Sequence, residues 1–147
     1  FGRMILDDEH RDRSRPMRQL ISFRFAAYAL LALFGAAMLF QVAVLFGLVP
    51  IEMVWGGRLR NAEERTVGAL VSLAVLLGAT TLVLVRMGTL GKGVPAVGRW
   101  GLWVIAFLFL LNTVGNLFAL DVREAVIFTP VTLLAALLAM RVALGPG

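Results

Sequence analysis

The residues able to do chemistry in this chain are few, and they fall into two short stretches. After Pro50 the chain reads IEMVWGGRLRNAEERT, which holds Glu52, Trp55 and Arg58. These are an acid, an amphipathic ring and a guanidinium suited to an anion. The second stretch holds Asn112, Asn116, Glu124, Thr129 and Thr132, whose amides and hydroxyls suit hydrogen bonding to a polar head group. Glu52 or Glu124 could act as acid or base on such a group while Arg58 holds an anion, but no second catalytic partner is set by spacing. There is no cysteine, the one histidine is His10 in a charged tail, and no nucleophile, metal-ligand or phosphate-cradle motif is present. No catalytic residue, metal or cofactor is therefore assigned, and the leading expectation is binding without catalysis.

Several of these residues also have structural readings. Asn61 followed by Glu64 has capping-box spacing and is expected to open the second helix; Asp121 followed by Glu124 repeats that spacing at the fourth. Glu52 and Arg58 could pair across the Gly56–Gly57 turn, which would break a short interfacial helix. Asn112 and Asn116 are four apart and share a face beside Gly115, a face expected to point away from lipid. A tight hairpin centred near Val122 should bring Asn116 level with Phe128 or Thr129 and Asn112 level with Thr132, with Pro130 freeing a carbonyl nearby. At 1.5 Å per residue, Gln41, Ser72, Asn112 and Thr132 each lie roughly 9–12 Å below one membrane boundary. Such a polar layer either holds four helices in register or floors an outward pocket whose mouth carries Glu52, Trp55, Arg58 and Glu124.

The elements that position these residues are apolar. Of 147 residues, 60% are hydrophobic and mean hydropathy is +0.89, well above the roughly 45–50% apolar content of soluble domains. Four apolar runs predict an all-α, four-transmembrane-helix bundle in a single domain, with helices at about 25–49, 66–86, 100–120 and 123–144. Residues 1–24 form a basic N-terminal segment and 50–65 a loop outside the cytoplasm. The first run exceeds a signal peptide's apolar core of about 7–15 residues, so it is expected to remain as a span. Ten Lys and Arg residues fall on the side of the termini against four on the other, which predicts both termini in the cytoplasm. Trp100 and Trp103 then sit at the inner interface and Trp55 beyond the outer one. The net charge of +5 lies beside spans without aromatic interleaving, which points to topology and anionic lipid, not nucleic acid. Gly35, Ala36, Ala37, Gly68, Ser72 and Gly78 are expected to allow close helix packing within the bundle.

The run W-G-G-R at Trp55–Arg58 with the nearby Glu63–Glu64, the N-T-V-G-N segment from Asn112, and the E-x-x-I-F-T-P-V-T opening from Glu124 resemble a widespread set of small bacterial four-helix membrane proteins. The resemblance covers about Val49 to Arg141; size and order of parts also resemble the DoxX-like proteins. It implies a multi-pass protein of the bacterial cytoplasmic membrane and carries no activity with it. Three functions compete: a non-catalytic module that binds a lipid or small amphiphile or serves as a subunit of a larger assembly, a membrane enzyme acting on lipid or quinone head groups, and a small dimeric transporter. The partners implied are membrane lipids, with a homodimer or larger membrane complex.

Overall fold

A computed structural model describes residues 21–91 and 95–146; the basic stretch up to residue 20, and Lys92, lie outside the described residues. Four α-helices occur among the described residues: α1 (Phe23–Leu45), α2 (Ala62–Arg86), α3 (Pro95–Leu117) and α4 (Val122–Leu144). All four are long and apolar enough to cross a membrane, and no strand occurs among the described residues. At 1.5 Å per residue they reach about 34–38 Å, against roughly 30 Å of hydrocarbon.

Local chemistry sets the ends. Ser22 Oγ accepts from the Phe25 N–H at 3.2 Å and Asn61 Oδ1 from the Glu64 N–H at 2.8 Å. Asp121 Oδ1 accepts from the Arg123 N–H, also at 2.8 Å. Each satisfies a donor that the first helical turn leaves free. α1 stops at Leu45, not near Val49, because Gly47 (φ 71°) turns left-handed: its N–H reaches the Val44 carbonyl and the Leu48 N–H reaches Ala43. Gly88 closes α2 in the same way onto Val85, with Thr89 bonding Leu84, and both are Schellman closures. α3 occupies 95–117 where the apolar run suggested 100–120, so Trp100 lies a turn inside the helix. The stretch after Pro50 forms two short 3₁₀ turns, Ile51–Met53 and Trp55–Gly57, in place of one interfacial helix.

The helices pack in an up-down-up-down ring, α1 against α2 and α4, and α3 against α2 and α4. Leu30 and Phe34 of α1, Ala79 and Val83 of α2, Leu102 of α3 and Ala139 of α4 are buried at its centre, where Phe34 stacks on Phe109 with centroids 5.6 Å apart. The close approach of α2 to α3 lies at Gly98 and Gly101: a Cβ on Gly98 would sit 3.2 Å from the Arg86 amide nitrogen, and one on Gly101 2.6 Å from Leu82. Gly35 and Gly78, expected to serve packing, face open space, because their sides of α1 and α2 meet no neighbour. At this end Arg86 donates to the Val142 and Ala143 carbonyls at 3.3 and 3.2 Å, and Arg141 to the carbonyls of Ile21 and Gly145 at 2.8 and 2.9 Å. The guanidiniums satisfy the last carbonyls of α4 and complement its negative dipole end.

Candidate functional site

At the opposite end the Trp55–Gly57 turn is set into the bundle. Trp55 (φ 53°), Gly56 (φ 72°) and Gly57 (φ 70°) are all left-handed, a run that two glycines permit and that strains Trp55. The indole lies across α2 at Gly68, where a Cβ would fall 2.7 Å from Trp55 Nε1, while the ring stays half exposed. The buried Gly56 is held from both sides of its backbone: its N–H donates to Glu124 Oε1 at 2.8 Å and its carbonyl accepts from the Leu120 N–H at 3.1 Å. A two-bond latch thus joins the turn to the start of α4.

Glu124 is therefore not the fourth member of a capping box. Asp121 caps α4 at the Arg123 N–H, and the Glu124 side chain turns inward, only 4% exposed. Its second oxygen, Oε2, is buried without a hydrogen-bond partner among the described residues, as is the Thr129 hydroxyl on the same helix. A carboxyl offers about four acceptor positions, and one of these is used. The site can take a further donor such as an amine, hydroxyl or water, since an unmet buried polar atom is costly.

A second polar group lies deeper, between α3 and α4. Thr132 Oγ1 is 2.9 Å from Thr113 Oγ1, accepts from Asn116 Nδ2 at 3.2 Å, and donates to the Phe128 carbonyl at 2.8 Å. Thr132 thus both donates, to Phe128, and accepts, from Asn116, while the single Thr113 proton is shared between Thr132 and the Phe109 carbonyl at 2.8 Å, so Thr132 is already satisfied. The facing rung expected at this hairpin exists with different members. Asn116 and Thr113 meet Thr132, whereas Asn112, expected opposite Thr132, is exposed on the outside of α3. Thr113 and Asn116 are three apart and share the inward face; Asn112 is rotated about 100° from Thr113. Gln41 and Ser72 are half-buried, and no side-chain hydrogen bond among the described residues joins them to this group. Phe40 packs on Phe128 at 5.0 Å beside Gln41 and closes this level with aromatic surface.

Glu52 and Arg58 are both exposed and do not pair; Arg123 with Asp121, 2.7 Å apart, is the ion pair present among the described residues. Arg58 folds back over Gly56 and reaches the Phe118 carbonyl at 3.5 Å. The Arg123 guanidinium holds the Asp121 carboxyl below its ordinary value by hydrogen bonding. Of the expected mouth residues the structure thus gathers Trp55, Arg58 and Glu124 around one turn and leaves Glu52 on the surface. Gly56 and Leu120, which make the latch through their backbones, carried no chemical signal in the sequence beyond the Gly56–Gly57 doublet.

No family model matches the chain, and neither a curated protein nor a solved structure matches it.

Proposed function

We propose that this chain is a multi-pass protein of the bacterial cytoplasmic membrane, with both termini inside, and that it acts as a non-catalytic binding module for a lipid or small amphiphile at the Trp55 end. The observation that carries the reading is Glu124: a carboxyl only 4% exposed, with Oε1 anchored to the Gly56 N–H and Oε2 unpartnered. Polar groups kept in a membrane interior without a full set of partners are functional by default. A head group that donates a hydrogen bond, hydroxyl or amine, completes Oε2, and the apolar surround holds its tail. The Trp55 turn admits it: the turn is short, is latched by one bond to the Glu124 side chain and one to the Leu120 backbone, and carries a strained residue at Trp55. The residue pattern from Trp55 to Thr132 and the bias of basic residues support the bacterial, termini-in placement.

Native mass spectrometry of the protein released from mild detergent tests this. The wild type should carry one defined small molecule above the bulk lipid background. The Glu124→Gln variant, which keeps the Gly56 contact but replaces Oε2 by a donor, should lose that molecule without losing thermal stability. A wild type free of any such molecule would sink the reading.

A further inference from the structure

Asn112 is an amide that the bundle leaves outside. Its side chain is exposed and makes no hydrogen bond among the described residues, while Thr113 and Asn116, which follow it on α3, engage Thr132. It lies six residues from the middle of α3 (Pro95–Leu117), hence about 9 Å from the helix midpoint, well within a hydrocarbon half-thickness of about 15 Å. An amide is too short to reach the head groups from there, and an unpaired amide in hydrocarbon is strongly disfavoured.

We infer that Asn112 marks the face through which two copies of this chain pair, α3 against α3. The inference rests on the membrane placement proposed above but not on the ligand. Copies inserted in the same sense are related by an axis along the membrane normal, so each residue meets its twin at one depth. An amide carries both an acceptor and a donor group, and two copies of Asn112 satisfy each other reciprocally. A partner of another kind would need its own hydrogen-bonding group at that depth. The surroundings allow the approach. At Gly115, one turn on, a Cβ would meet nothing within 4 Å, and Leu108, one turn back, is exposed apolar surface. Toward the Arg86 end this side of α3 continues through Val104 into an open apolar groove of about 610 Å³ lined by Leu82, Val97, Trp100 and Phe107. Apolar side chains of the second copy fill it.

The chain contains no cysteine, so single cysteines report contacts without background. Leu108→Cys, Gly115→Cys and, as control, Ile127→Cys are placed in the full chain. Ile127 is exposed on α4, six residues from that helix's middle and so at the same depth as Asn112. Each is reconstituted into phosphatidylethanolamine–phosphatidylglycerol vesicles, recovered by flotation and oxidised. Cysteines at 108 and 115 should give covalent dimers, and the one at 127 should stay monomeric. In fluorescence-transfer dilution series, Asn112→Leu should weaken association by roughly three- to thirty-fold, whereas Asn112→Gln retains it. Equal cross-linking at 127, no cross-linking at 108 and 115, or an unchanged association constant in Asn112→Leu would overturn the proposal. So would cross-links in native membranes that join 108 or 115 only to a different protein. Failure to float with the vesicles would instead count against the membrane placement.

Discussion

Glu124 shows how much depends on a single oxygen. Replacing it with leucine leaves the buried Gly56 N–H without an acceptor, and such an orphan costs about 1–3 kcal/mol. Glutamine keeps the acceptor and should stay within about 1 kcal/mol of wild type. Thermal unfolding in detergent distinguishes them; a leucine variant as stable as wild type would show that the latch contributes nothing to the fold. Asp121 makes a separate prediction through pH. Its carboxyl is held below the ordinary 3.8 by the hydrogen bonds from Arg123, so the folded state binds this proton less readily than the unfolded chain does. The stabilisation is fully present above the unfolded value and is lost as pH falls through the folded one. The melting temperature of wild type should therefore exceed that of Asp121→Asn at pH 7, with the gap closing as pH drops below about 4. A gap independent of pH would assign the effect to capping geometry alone.

The helices are tuned by glycines in two opposite ways. At Gly98 a Cβ would press on the backbone of Arg86 at 3.2 Å, and backbone does not yield as a side chain does, so Gly98→Ala should force α2 and α3 apart and lower stability. Gly78 sits inside α2 facing open space, and alanine there should raise stability by about 0.5–1 kcal/mol through reduced chain entropy. The same logic separates the two glycines of the turn. Both have positive φ, but a Cβ at Gly56 meets only Arg58 at 3.8 Å, whereas at Gly57 it meets the Glu52 carbonyl at 3.1 Å and Leu120 Cβ at 3.3 Å. Gly57→Ala should be the more damaging of the pair in chemical or thermal denaturation. Equal losses would mean that backbone strain, not contact with the α3–α4 connection, dominates.

Across the whole molecule, large apolar side chains face outward on every helix, Leu39 at 73% exposure, Leu70 at 53%, Phe107 at 59% and Leu137 at 52% among them. Water would not tolerate so continuous an apolar surface; lipid does. The charged residues gather at the two ends, Arg86 and Arg141 at one, Arg58, Arg60, Arg65 and Arg123 at the other. If both termini lie inside, as proposed, single cysteines at Asn61 and Thr89, both exposed, should differ in intact spheroplasts. A membrane-impermeant maleimide should label position 61 and leave 89 untouched until the membrane is opened. Labelling of 89 alone would reverse the orientation.

Four helices, their approximate lengths, the caps at Asn61 and Asp121 and the left-handed turn at Gly56–Gly57 were all legible in the sequence, because each depends on residues within a few positions of one another. Gly47 and Gly88 carried the same kind of local signal; the closure at Gly47 ends α1 short of its apolar run, and that at Gly88 ends α2 at Arg86, where the apolar run already placed it. What the tertiary structure decided is which side of each helix faces inward. In a membrane protein the core face and the lipid face are both apolar, so hydropathy carries little information on rotation. Asn112 and Asn116, four apart, looked like one inward face, yet packing against α4 selected Thr113 with Asn116 and left Asn112 outside. Glu124 had capping spacing, but Gly56, sixty-eight residues away in sequence, took its carboxyl. Such a bond depends on how the Trp55 turn docks against α4, and no local pattern encodes that.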